Sequence, residues 1–125
     1  MLANAKVMAF IATAQPETAK AFYQQLLGLR LVADTPFALV FDAGGTELRV
    51  QKVQGVSTAP YTALGWAVPD IAAAVRRLAG AGIAFERYVG LAQDAAGIWT
   101  TPDGAQVAWF KDPDGNTLSL TQFAA

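Results

Sequence analysis

The sequence predicts an α+β protein of two tandem βαβββ modules, whose curved mixed sheets form a cleft. Three observations predict it. The first is an internal repeat: Lys111 to Leu120 reads KDPDGNTLSL, and seventy residues upstream Phe41 to Val50 reads FDAGGTELRV. Asp42 then matches Asp112, Gly45 matches Gly115 and Leu48 matches Leu118. The second is that each half carries one amphipathic helical stripe ended by a glycine and followed by strand-like segments. The third is composition: 125 residues, 54% apolar and 15% charged, suit one compact domain with a real core. The single domain spans 1–125, with module one at about 6–53 and module two at about 61–124.

In chain order, Val7 to Thr13 reads as a strand, and Gln15-Pro16-Glu17-Thr18 opens a helix, proline being tolerated in the first turn and Glu17 favourable at the positive end of the helix dipole. Ala19, Phe22, Tyr23, Leu26 and Leu27 form one apolar stripe, and Gly28 ends it. Leu29 to Ala33, Phe37 to Phe41 and Thr46 to Lys52 read as three strands, broken at Asp34-Thr35-Pro36 and at the turn from Asp42 to Gly45. Gln54 to Pro60 is the linker. The order then repeats: strand Ala63 to Val68, a helix N-capped by Asp70 with the stripe Ile71, Val75 and Leu78, and Gly82 after its end. Ile83 to Tyr88 reads as a strand and Val89 to Gly97 as a loop. A hairpin follows, Ile98 to Thr101 and Ala105 to Lys111, then the turn Asp112-Pro113-Asp114-Gly115 and a last strand, Asn116 to Phe123.

Composition also excludes chemistry. The formal net charge of −1 and scattered Lys and Arg leave no basic stripe, so no nucleic-acid partner is expected. Cysteine and histidine are both absent, which removes disulfides, thiolate nucleophiles, Ser-His and Cys-His pairs and every His-containing metal site. Carboxylate, Tyr or a perturbed Lys remain for acid-base work. Val7 to Ala14 could pass for the apolar region of a signal peptide, but the fold needs it as its first strand. No apolar run approaches the roughly 20 residues of a membrane span. A soluble, cytoplasmic protein with no membrane partner is expected.

Ala21-Phe22-Tyr23 with Leu27-Gly28-Leu29, Val68-Pro69-Asp70 through Ala81-Gly82-Ile83, and Asp112-Pro113-Asp114-Gly115-Asn116 together resemble the vicinal oxygen chelate superfamily, which includes glyoxalase I, bleomycin-resistance proteins and extradiol dioxygenases. The resemblance covers nearly the whole chain and implies the glyoxalase-like fold of paired βαβββ modules. That fold hosts lyases, isomerases, dioxygenases and non-catalytic drug binders, so the function has to come from the site. Metal-using members draw ligands from the first and last strands of each module, and those positions fall here on Met8, Arg49, Ala63 and Ser119. None is a usable ligand, and a guanidinium would repel a divalent cation. The resemblance therefore implies no metal and no cofactor, and a metal-independent protein that binds a small organic molecule in its cleft. The alternative is a lyase, isomerase or dioxygenase-type enzyme of the same fold, using metal-free proton transfer or a metal held elsewhere.

The candidate ligand-binding residues are Met8, Phe10, Arg49, Gln51, Ala63, Trp109 and Ser119. Phe10 shares the parity of Met8, and Gln51 and Glu47 share that of Arg49. Arg49 has two readings: a fixed cation that pairs with an acceptor oxygen on a ligand, or a strand arginine paired internally with Glu47. Glu86 is the candidate general base and Tyr88 the candidate proton donor, against the plainer reading of Glu86 as a solvated strand carboxylate. Trp66 reads as core, whereas Trp99 and Trp109 lie on the two strands of one hairpin and can pair across it.

The resemblance also implies a homodimer, in keeping with three Trp and seven Phe in so small a chain. Sedimentation at tens of micromolar is expected to give a dimer, because a standard interface persists in that range, and a monomer there would refute it.

Overall fold

The computed structural model describes residues 1–125 and divides them into two compact units, Met1–Ser57 and Thr58–Ala125. In the first, β1 (Met8–Thr13), α1 (Pro16–Ala21), β2 (Arg30–Asp34), β3 (Ala38–Ala43) and β4 (Thr46–Lys52) form the βαβββ order. The sheet runs β1-β4-β3-β2, with β1 parallel to β4 and the other pairs antiparallel. These strands lie within two residues of the predicted bounds.

One face of this sheet carries Ile11, Leu39, Phe41, Leu48 and Val50, all buried. The helix covers that face, with the Tyr23 ring 5.1 Å from Phe22 and 5.9 Å from Phe41. The predicted apolar stripe holds only in part. After Ala21 the chain widens into a π-turn, Phe22–Leu26, in which the Leu27 N–H donates to the Phe22 carbonyl five residues back at 3.0 Å. Widening rotates the last turn out of the α period, so Ala19, Phe22 and Tyr23 are buried while Leu26 is 39% exposed. Gly28 then turns the backbone left-handed at φ 74°, which brings the Leu29 N–H to the Tyr23 carbonyl at 3.0 Å and closes the helix. Asp34 joins three elements by accepting from Lys52 of β4 and Lys20 of α1. Those two hydrogen bonds hold its carboxyl below the ordinary carboxylate value. The contribution to stability is full above that value and is lost as pH falls through the lowered one.

In the second unit, β5 (Leu64–Ala67), α2 (Ile71–Gly80), β6 (Trp99–Thr100), β7 (Gln106–Lys111) and β8 (Thr117–Gln122) repeat the order, and the sheet runs β5-β8-β7-β6. Asp70 caps α2 as predicted, its Oδ1 accepting from the Ala73 N–H at 3.1 Å, and the Ile71 N–H donates to Gln122 Oε1 at 2.8 Å. Ile71 and Val75 of the helix are buried, as are Ala108, Phe110, Leu118 and Leu120 of the sheet. Trp66 shares the face of Leu118 and Leu120 and is half-buried there.

The predicted strand from Ile83 to Tyr88 is not formed. Only Phe85 bridges β7, opposite Phe110, their rings 5.5 Å apart, and the Glu86 N–H donates to the Trp109 carbonyl at 2.8 Å. The outer edge of β7 is shared between this short bridge and β6, so neither can extend. Beyond Glu86 the backbone bonds to side chains of its own loop instead of a ladder.

The turn before β8 is built around one carboxylate. Asp112, 5% exposed, accepts through Oδ1 from the Asp114 and Asn116 N–H groups and through Oδ2 from Asn116 Nδ2, all at 2.9 Å. Its counterpart Asp42 does the same work nearer solvent, accepting from the Gly45 N–H at 2.9 Å and from Arg30 at 3.2 Å. Asp112→Ala strands buried donors, which costs about 1–3 kcal/mol, whereas Asp42→Ala leaves donors that water can reach. Thermal unfolding is expected to show the larger loss of Tm for Asp112→Ala; equal losses would contradict the buried carboxylate as the anchor.

Candidate functional site

A sheet with one helix leaves one face open, and both open faces carry residues singled out by the sequence. In the first unit, register sets Met8 beside Glu47 and Asp42, Phe10 beside Arg49 and Val40, and Ala12 beside Gln51 and Ala38. Alternation puts these rows opposite the buried apolar rows. Met8 and Phe10 are 48% and 49% exposed, and Gln51 is exposed. Arg49 is not a free cation: its Nη1 donates to Glu47 Oε2 at 3.0 Å, with side chains 31% and 42% exposed. The structure thus contains the internal pairing, one of the two readings of Arg49. A ligand acceptor reaching Arg49 would compete with a carboxylate already in place. At the end of this face a groove of about 350 Å³ opens between Lys6, Val7, Met8, Val32, Asp42 and Glu47. Sequence reasoning did not find it, because Val32 enters through the β-bulge between Leu31 and Ala33, which carries no sequence signature here.

In the second unit the open face carries Gly65, Val107, Trp109, Ser119 and Thr121 on adjoining strands. Ala63 continues the parity of Gly65, and its N–H donates to the Thr117 carbonyl at 2.8 Å. Ser119 is buried and lies against Gly65: a Cβ built there would come within 2.7 Å of Ser119 Oγ, so the glycine is needed for close approach. The two indoles pair across the hairpin as predicted, with Trp99 and Trp109 centroids 6.2 Å apart and planes 29° from parallel. Tyr88 adds a third ring, 5.3 Å from Trp109 and at 84° to it. Both tryptophans are partly exposed and Tyr88 is 37% exposed.

Glu86 and Tyr88, predicted as base and proton donor, come together on this face. Glu86 stands directly across from Trp109, and Tyr88 follows two residues later. Burial of the phenol pushes the Tyr88 pKa up and the Glu86 carboxylate pushes it further, so Tyr88 is a neutral donor at any physiological pH. Gln93, which no sequence signal singles out, sets this arrangement. Its Oε1 accepts from the Tyr88 N–H at 2.7 Å, and its Nε2 donates to the carbonyls of Glu86 and Gly97, both at 2.9 Å. Arg87 braces the same loop, donating to the carbonyls of Asp94 and Ala95 at 2.6 and 3.0 Å.

The positions at which a metal would be expected do not suit one. Met8 and Arg49 in the first unit offer a thioether and a paired guanidinium; Ala63 and Ser119 in the second offer a methyl and a hydroxyl packed on Gly65. No group of three or more His, Cys, Asp or Glu side chains is placed to hold a metal ion. No helix is long and apolar enough to cross a membrane.

The sequence model described as Glyoxalase/Bleomycin resistance protein/Dioxygenase superfamily matches residues 6–120. No curated protein sequence matches the chain. Among solved structures, it is similar to a member of that superfamily from Sphaerobacter thermophilus (TM-score 0.76, 24% identity, covering 98% of this chain and 100% of the other). It is similar also to a lactoylglutathione lyase from Agrobacterium tumefaciens (0.74, 18%, covering 96% and 95%). An antibiotic-binding protein from a Streptomyces species is a third (0.71, 23%, covering 99% of each). At these identities the likeness establishes the fold and not the activity.

A metal held by the native state at 100 times its Kd would add about 2.7 kcal/mol of stability. Micromolar zinc, nickel, iron or manganese is expected to leave Tm unchanged, and a chelator-reversible rise in differential scanning fluorimetry would refute the reading of the donor set.

Proposed function

The chain belongs to the Glyoxalase/Bleomycin resistance protein/Dioxygenase superfamily, and on that premise we propose that it binds a small planar organic molecule, without a metal, on the open face of its second unit. The observation that carries the reading is the array of Trp99, Trp109 and Tyr88 on a face that no helix covers. Two indoles left partly exposed on a sheet offer a large apolar contact at little cost in conformational entropy, and stacked or edge-on partners such as Tyr88 add about 0.5–1.5 kcal/mol per ring pair beyond area burial. The Tyr88 hydroxyl supplies a neutral donor, and the Tyr88 backbone N–H is held by Gln93 Oε1. The likeness to an antibiotic-binding protein of the same fold agrees with a binding role.

A proton-transfer enzyme is the second reading, favoured by the placing of Glu86 and Tyr88 on the same face. A carboxylate and a neutral phenol side by side are a base and an acid for one bound molecule. Turnover of a bound compound, lost in Glu86→Gln and Tyr88→Phe, would select this reading over simple binding.

Binding is tested by titrating two- and three-ring aromatic compounds while following intrinsic tryptophan fluorescence, alongside native mass spectrometry of the freshly expressed protein for a retained ligand. Trp109→Ala is expected to weaken any hit by about tenfold or more, equivalent to about 1.4 kcal/mol. Trp99→Phe, which keeps a ring, is expected to weaken it less. Hits that bind Trp109→Ala as tightly as the parent, with Tm showing the variant folded, would refute the array as the site.

A further inference from the structure

The array does not stand in a neutral field. Glu86 lies directly opposite Trp109, since its N–H donates to the Trp109 carbonyl at 2.8 Å and its neighbour Phe85 bridges Phe110. Residues directly opposed on neighbouring strands point to the same face, so the Glu86 side chain rises beside the indole of Trp109 on the open side. That side chain is half-buried and takes part in none of the ion pairs, which join Lys20 and Lys52 to Asp34, Arg30 to Asp42 and Arg49 to Glu47. Its charge is felt at the rings, because it is one of the two causes of the raised Tyr88 pKa.

The nearby cations form no ion pair with Glu86. The Arg87 guanidinium keeps its charge but is tied to the loop, donating to the Asp94 and Ala95 carbonyls. Lys111 does share the open face, but it lies one row beyond Trp109 in the direction away from Tyr88 and Trp99, and its Nζ donates to Thr117 Oγ1 at 2.8 Å. Around the rings themselves, a carboxylate outside any ion pair and the negative faces of the aromatic rings act with the same sign. A cation over such faces is attracted electrostatically, most strongly by Trp, while an anion meets both the ring quadrupole and Glu86 as repulsion.

We infer that the aromatic face of the second unit selects planar organic cations over anions of the same size, with Glu86 as the residue that sets the preference. This rests on the reading of the array as a binding surface and adds to it the charge of the ligand. It also reassigns Glu86, which becomes a counter-ion to the bound molecule whether or not any proton moves.

The test uses two probes of equal size and opposite charge, N-methylquinolinium and 2-naphthoate, titrated by calorimetry at low salt against the parent, Glu86→Gln, Lys111→Gln and Trp109→Ala. The cation is expected to bind the parent at least about tenfold more tightly than the anion. That ratio should collapse in Glu86→Gln, persist in Lys111→Gln, and both affinities should fall in Trp109→Ala. A spectrophotometric titration of the phenols gives a control independent of binding: Tyr88 should ionise at lower pH in Glu86→Gln if the carboxylate stands where the rings feel it. Binding that depends on Trp109 but shows no charge preference, or a cation preference untouched by Glu86→Gln, overturns the inference while leaving the binding surface intact. An anion preference lost in Lys111→Gln overturns it in favour of the lysine. If neither probe binds, or binding ignores Trp109→Ala, the surface itself is refuted and the inference with it.

Discussion

Each half of the chain supplies one helix to a sheet with two faces, and this shortage of cover governs everything else. The apolar rows of Ile11, Leu39, Phe41, Leu48 and Val50, and of Ala108, Phe110, Leu118 and Leu120, are where the helices settle, while on the other faces only the central positions Ala38, Val40, Thr117 and Ser119 are buried among these strands. The complementary rows cannot be as apolar without inviting aggregation, nor as polar as a solvated surface if they are to hold a ligand. The two halves answer this differently. The first face mixes Met8 and Phe10 with a guanidinium and carboxylate that neutralise each other. The second gathers three rings and leaves the Glu86 carboxylate outside any ion pair. The rings are thus gathered on one half, while the other offers an open groove bordered by Lys6 and by the paired carboxylates of Asp42 and Glu47.

The repeat shows the same divergence in its turns. Asp42 and Asp112 both receive backbone N–H groups in the way an aspartate at a tight turn does. The first also takes Arg30 from the neighbouring strand, near solvent, whereas the second is closed over by Asn116. One sequence device therefore gives a surface turn in one module and a buried polar network in the other. Only the second holds its strand pair by interactions that water cannot replace.

Most of the fold was legible because it rests on local signals. The turn residues, the glycines after each helix and strict alternation in Thr46–Lys52 place the elements with no knowledge of contacts. Alternation also foretold that Glu47 and Arg49 could meet and that Trp99 and Trp109 could pair. What failed were features decided by competition between distant segments. Ile83 to Tyr88 has the composition of a strand, but β6 takes part of the edge it would need. Leu26 has the spacing of a core residue, but a widened turn carries it out. Gln93 is a polar residue in a loop, and nothing in its neighbourhood marks it as the side chain that fixes where Tyr88 and Glu86 stand.

That loop is held by polar bonds and not by packing. From Arg87 to Ala96 no residue is buried, and the segment is tied down by the Gln93 and Arg87 side chains, by Asp94, whose Oδ1 accepts from the Ala96 and Ile98 N–H groups at 2.9 Å, and by a single backbone bridge from Gln93 to Trp99. Such bonds are worth about 0.5–1.5 kcal/mol each once exchange with water is counted, so releasing them costs less than parting the strands beneath. By that comparison the segment is a less stable unit than the folded sheet. Tyr88 belongs to that unit and Trp109 to the sheet. The two rings that meet edge to face therefore sit on opposite sides of a boundary in local stability, and a molecule that touches both is held partly by a wall and partly by a door.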